Sequence, residues 1–116
     1  MKASVLLLVS TFFIASSSFA QIKAVQKAMI STPGVQCESC KTRIENHLTH
    51  EYGVASVRAD YRKHSVAVAW YTDRTNIENI KTAIANMGYD ADDVSAEPDA
   101  QKRLPKSCQH IATVKP

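Results

Sequence analysis

The chain has 116 residues, 45% apolar and 22% charged, which suits one small globular domain and leaves no room for a second core of ordinary size. With 3 Gly, 4 Pro and charges of both signs, it is neither fibrous, nor low-complexity, nor a disordered polyelectrolyte. A formal charge of +3 is too mild for a nucleic-acid partner, and no Arg/Lys run is interleaved with aromatics to stack bases.

Residues 1–20 read as a secretory signal peptide. Lys2 supplies the positive start, Val5 to Ile14 is a nearly unbroken apolar run, and Ser18-Phe19-Ala20 offers small residues before a cut after Ala20. The run is about half of the roughly 20 residues a membrane-spanning helix needs. No stable membrane insertion is therefore expected after cleavage, and no cysteine lies near the cut to carry a lipid anchor. The expected location is periplasmic or secreted. Cleavage removes Lys2 and leaves 13 basic against 11 acidic residues, a formal +2 with His neutral.

Residues 21–26 form a lead-in to a domain over 27–95. Lys27 to Thr32 alternates weakly, with Ala28, Ile30 and Thr32 on one face, and stops at the turn pair Pro33-Gly34, which predicts a strand entering a loop. From Ser39 the spacing becomes helical, with Cys40, Ile44 and Leu48 on one stripe and Gly53 suited to the left-handed residue that ends a helix. Val54 to Asp60 and Ser65 to Tyr71 alternate again across a polar turn, Arg62-Lys63-His64, as two antiparallel strands. Thr75-Asn76-Ile77-Glu78 has the form of a capping box, after which Ile77, Ile80, Ile84 and Met87 keep helical spacing up to Gly88. Ala91 to Ser95 reads as a last short strand. Residues 96–116, with Pro98, Pro105 and rising polarity, form a C-terminal tail.

That order, βαββαβ, is the split ferredoxin-like α+β fold: a four-stranded antiparallel sheet with two helices on one face. Ile44, Leu48, Ile77, Ile80 and Ile84 are expected to meet the inward strand residues in its core.

Three cysteines, Cys37, Cys40 and Cys108, are too few for a disulfide scaffold, and an odd number cannot all pair within one molecule. Chemistry at the thiols is the better expectation. In Gly34-Val35-Gln36-Cys37-Glu38-Ser39-Cys40 one sulfur falls in the loop and the other in the first helical turn. Unpaired N–H groups and the positive end of the helix dipole favour thiolate there. Two thiolates without a fixed third ligand suit Cu(I) or Hg(II) better than Zn(II), which usually takes four ligands in structural sites. A local disulfide, a redox couple or half of a zinc site remain open on the residues alone. Haem attachment requires His directly after the second cysteine, where this chain has Lys41. A thioredoxin-type couple would need a larger fold, and Trp70 lies far along the chain in a strand.

A C-x-x-C closing the first loop of this six-element order, with Ile44 and Leu48 following and Gly88-Tyr89 after the second helix, resembles the heavy-metal-associated domain over residues 27–95. Within that family, an exported single domain looks most like the periplasmic mercury-binding proteins and the copper chaperones. The resemblance implies that Cys37 and Cys40 bind one soft metal ion, Cu(I) or Hg(II) ahead of Zn(II). It also implies that the ion passes by ligand exchange to a metal-transporting membrane protein or another Cys-containing acceptor. A monomeric carrier, not an enzyme, is the expectation.

The chain departs from the family where Val35 stands in place of the usual loop methionine. That residue generally packs beneath the loop, so a slightly less filled pocket is expected, with no ligand lost. Tyr89 matches a family position near the metal and is expected to line the rim of the site, or else to be a core-edge tyrosine.

Cys108 and His110 offer further ligands. Traced through the topology, the tail starts at the end of the domain opposite the metal loop, although twelve residues from Ala96 suffice to reach back. A site of Cys37, Cys40, Cys108 and His110 would favour zinc or shield Cu(I); an unattached tail or an intermolecular disulfide are the alternatives. His47 and His50 read as solvated helix residues. Arg62-Lys63-His64 falls at the metal-loop end near Lys41 and Arg43, either as a basic rim that steers an acidic partner or as a plain polar turn. The rival functions are a thiol–disulfide redox protein using the same pair, and a passive adaptor that docks a membrane pump.

Overall fold

The computed structural model describes residues 24–109. The signal segment with its cut after Ala20, and His110 in the tail, lie outside the described residues. In chain order the elements are β1 (Val25–Ser31), α1 (Glu38–Thr49), β2 (Val54–Asp60), β3 (Ser65–Tyr71), α2 (Ile77–Asn86) and α3 (Pro98–Arg103), followed by a 3-10 turn over Lys106–Cys108. The strands form one antiparallel sheet in the order β1-β3-β2. Among the described residues no helix is long and apolar enough to cross a membrane.

Alternation decides which face of the sheet is covered. Ala28 and Ile30 of β1 stand opposite Val68 and Val66 of β3, which in turn stand opposite Val57 and Ala59 of β2. This row packs with Ile44 and Leu48 of α1 and with Ile80, Ala83 and Ile84 of α2 in a single core, so both helices cover one face. Lys27, Met29, Ser56 and Arg58 on the other face are exposed. The helical stripe expected from Ile44 and Leu48 is fully buried.

Capping differs in detail from expectation. The N-cap of α2 is Asn76, one residue beyond the expected Thr75, and its side-chain oxygen accepts from the Asn79 amide at 2.9 Å. Gly53 does take a left-handed φ of +82°, but three residues after the α1 cap at His50, in the turn that leads into β2.

The expected fourth strand over Ala91 to Ser95 is instead a turn closed by a single Ala91–Val94 bridge, so the sheet of the described residues has three strands rather than four. Asp92 is the cause: at a φ of +50° it reverses the chain, donates its N–H to the Ser31 carbonyl at 2.9 Å, and accepts the Ser31 amide on Oδ1 at 2.7 Å. Its neighbours reinforce the reversal. Lys81 holds Asp93 at 3.0 Å and Asp92 at 3.8 Å, and Asp90 accepts from the Ala96 amide at 2.7 Å. Carboxylates that bond nearby backbone favour turns over extended pairing. A five-residue segment did not outweigh them. Replacing Asp92 by Ala should destabilise the domain by about 1–2 kcal/mol in urea titrations, because both the left-handed tolerance and the Ser31 bond are lost. Asp92→Asn, which keeps both, should stay near wild type; equal losses in the two variants would contradict this account.

The tail is redirected as a result. Since the turn abuts Ser31, where β1 runs into the cysteine loop, the tail starts at the metal-loop end and not at the opposite end. Its first anchor is the Glu97 amide, which donates to the Ala85 carbonyl at 2.8 Å, and α3 then lies directly over Gly88.

Candidate metal centre

The cysteine loop is fastened from both sides. The Thr32 amide donates to the His64 carbonyl at 2.8 Å, and the Val35 amide closes the Pro33-Gly34 turn by donating to Thr32 at 3.0 Å. His64 Nδ1 lies 3.0 Å from the Val35 carbonyl; a carbonyl only accepts, so His64 carries its proton on Nδ1. The Arg62-Lys63-His64 turn therefore does sit at this end of the domain. Val35 itself is fully buried in the core and holds the loop down from beneath, as expected for the residue in the methionine position.

Cys37 is the N-cap residue of α1 and is half-buried, whereas Cys40, one turn on, belongs to the helix's buried stripe. Their sulfurs lie 3.2 Å apart. The Cys37 thiol is pulled below its ordinary value, chiefly by the Ser39 hydroxyl at 3.3 Å and next by the Cys40 amide, which outweigh partial desolvation.

The third sulfur arrives from the tail. Cys108 is 1% exposed and forms a disulfide with Cys40, with Cα atoms 5.5 Å apart, leaving Cys37 as the free thiol. The ligand atoms of Cys37, Cys40 and Cys108 all lie within 4.8 Å of one another. Of the alternatives for the tail, the structure thus shows an intramolecular link. Ser39 Oγ also reaches Cys108 Sγ at 3.4 Å and Ser107 Oγ at 3.5 Å, and both Cys37 and Cys40 sulfurs approach the Ser107 carbonyl, at 3.6 and 3.7 Å.

This delivery is built, not incidental. Glu97 caps α3 by accepting from the Asp99 and Ala100 amides at 3.1 and 2.6 Å, Pro98 occupies the first turn, and Ala100 and Leu104 are buried. Gln109 then ties the turn by donating to the Lys102 and Leu104 carbonyls at 3.1 and 2.9 Å. The Glu97-Pro98 helix start and the apolar Leu104 were available signals in the sequence; Ser39 and Ser107 carried none. The two amide donors, Ala100 first, hold the Glu97 carboxyl below the ordinary glutamate range. A depressed native value means the cap's contribution is complete at neutral pH and lost as pH falls through that value. The protection factors of the α3 amides, exchange rates taken relative to the free-peptide rate at each pH, should fall on acidification, and Glu97→Gln should remove that pH step; an identical step in both proteins would refute it.

Tyr89 is 1% exposed, so it closes the core beside the site instead of lining an open rim. Burial pushes its phenol upward against the opposing pull of the Arg43 guanidinium, with a smaller contribution from Cys37 in the same direction as burial. Its buried hydroxyl makes no hydrogen bond of ordinary geometry among the described residues, and the Arg43 guanidinium is the nearby polar group that acts on it. His47 and His50 are exposed as expected: His47 sits 3.9 Å from Glu51, and His50 Nδ1 bonds the Asn46 carbonyl at 2.7 Å. Lys41 spans Glu38 and Glu45 at 3.9 Å each, which compensates part of the basic rim; Arg62 and Lys63 are exposed.

A strand–loop–helix that presents two sulfurs at a helix start, on a sheet covered by two helices, defines a soft-metal-binding class of domain. Residues 29–90 match the heavy-metal-associated domain, and the chain belongs to that family. The copper chaperone CopZ of Staphylococcus haemolyticus (strain JCSC1435) is 34% identical over 62 residues, which cover 53% of this chain and 91% of that one. A copper-exporting P-type ATPase of the same strain is 28% identical over 86 residues, or 74% of this chain, but the chain spans only 11% of the ATPase's length. Among solved structures, oxidised MerP from Ralstonia metallidurans CH34 superposes with a TM-score of 0.56 at 24% identity, covering 59% of this chain and 94% of that one, a likeness of fold.

Proposed function

We propose that this chain is a carrier of one soft heavy-metal ion, Cu(I) or Hg(II), held by the Cys37 and Cys40 thiolates and passed on by ligand exchange, in the periplasm or outside the cell. The observation that supports it most is the convergence of those two sulfurs, 3.2 Å apart at the start of α1. Membership of the family and the likeness to a copper chaperone point the same way. The cargo leaves chemically unchanged, so the protein is a carrier and not an enzyme. Cys37, half-buried beside the fully buried Cys40, is the sulfur that an incoming thiolate reaches first. The acceptor is a metal-transporting membrane protein or another Cys-containing protein, and the exposed Arg62 and Lys63 favour an acidic docking face on it. Zn(II) would be the cargo if Cys108 and His110 completed four ligands.

Native mass spectrometry of the reduced chain offered Cu(I), Hg(II) or Zn(II) tests this reading. A single metal adduct, weakened in Cys37→Ser and in Cys40→Ser and lost when both are replaced, is expected; no adduct with any of the three ions sinks it. The second reading, a thiol–disulfide redox protein, is favoured by one observation: the free Cys37 thiol faces a Cys40 already in disulfide linkage. Catalysed disulfide exchange without metal retention would support that reading instead. An adaptor that docks a pump would bind it equally well with both cysteines replaced.

A further inference from the structure

We propose that Cys108 is a third thiolate ligand, so that the reduced chain holds its cargo in a three-sulfur site completed by the tail. This rests on the metal-carrier reading and deepens it. Three sulfurs arranged in a plane around one ion at about 2.3 Å stand about 4 Å from one another. Cys37, Cys40 and Cys108 already lie within 4.8 Å, so side-chain adjustment alone brings them to that spacing once the Cys40–Cys108 bond is open.

The tail is also shaped for this position independently of the sulfurs. Leu104 is buried in the core, Glu97 caps α3, and a Cβ at Gly88 would stand 2.8 Å from the Gln101 backbone, so the absence of a side chain there makes room for α3. Each of these contacts precedes Cys108 in the chain and would place it at the cysteine loop whether or not a disulfide formed. Soft monovalent and divalent ions accept three thiolates, and two of these three, Cys40 and Cys108, are shielded from solvent.

Loading begins with reduction. A dithiol donor gives up two electrons and two protons and becomes a disulfide, while the Cys40–Cys108 bond breaks to two thiols. Metal binding then displaces the thiol protons. Transfer to an acceptor requires Cys108 to leave with the tail, which restores the two-sulfur site to an incoming thiolate.

The test is X-ray absorption at the copper edge on the full chain, reduced and loaded anaerobically with one equivalent of Cu(I), beside Cys108→Ser treated identically. Because both are reduced, loss of the disulfide does not enter the comparison, and circular dichroism establishes that both are folded. Three Cu–S contacts in the wild type and two in Cys108→Ser, each at one ion per chain, are expected. Copper retention against a competing Cu(I) chelator should fall by at least about tenfold, the smaller loss typical of removing even an outer-shell partner. Two contacts in both proteins overturn the proposal and leave the carrier reading standing. Three in both, with the third sulfur supplied by a second copy or by a free thiol, overturn it equally. Failure of the wild type to retain copper at all overturns both readings together.

Discussion

Reduction of the Cys40–Cys108 disulfide is expected to lower the unfolding free energy by about 4 kcal/mol. The bond closes a loop with a sequence separation of 68 residues, and in the chain-entropy description a crosslink of that span restricts the unfolded ensemble by about that amount. For a domain of under 100 residues, each kcal/mol moves the melting temperature by about 4–8 °C, so the midpoint should fall by well over 10 °C. Thermal melts with and without reductant measure it, and Cys108→Ser should melt alike under both conditions. Peptide mapping without reduction should find Cys40 joined to Cys108 and Cys37 alone alkylated. A Cys37–Cys40 link, or melts that ignore reductant, would contradict the arrangement. The oxidised chain should also hold metal poorly, since a Cys40 sulfur in a disulfide has no thiolate to offer.

Replacing Gly88 by Val should be the most damaging single change between α2 and the tail, at about 2–4 kcal/mol. Gly88 has a φ of +104°, which a branched side chain adopts only under strain. A Cβ there would also stand 2.8 Å from the Gln101 amide nitrogen and Cα, and 2.9 Å from the Ala100 carbonyl carbon. These are backbone atoms, so α3 must shift to make room. The shift has a readout besides stability: in the reduced wild type Cys108 is sealed and should alkylate slowly, whereas in Gly88→Val it should react at the rate of an exposed thiol. Slow alkylation in the variant would show that α3 is positioned by something else.

The parts of the molecule legible in the sequence are those where a long period and a local signal agree. Ile44 with Leu48, and Ile80 with Ile84, repeat at helical spacing and are all fully buried; Val66 and Val68 lie in the inward row of β3. The cysteine loop was legible for the same reason, because Pro33-Gly34 marks a turn and Ser39 opens the helical pattern. Ala91 to Ser95 was not. Five residues without alternation are weak evidence for a strand, and the side-chain-to-backbone bonds of Asp90 and Asp92 act at a shorter range than strand pairing. The partner of Cys40 was equally hidden: spacing within Cys37–Cys40 suggests a local pair, while the pairing found depends on where a tail 68 residues downstream comes to rest. That resting place is decided by a missing side chain at Gly88 and by where Leu104 packs; the Glu97-Pro98 helix start announces α3 but not the surface it lies on.

The seat of Leu104 has a practical outcome for anyone trimming this protein. The family likeness ends at residue 90, yet the packed body continues through Gln109, whose amide ties off the final turn. A polypeptide stopped at the family boundary would lose Leu104 and expose the apolar surface it covers. It would therefore be a poor proxy for the whole, stickier in solution and a sulfur short.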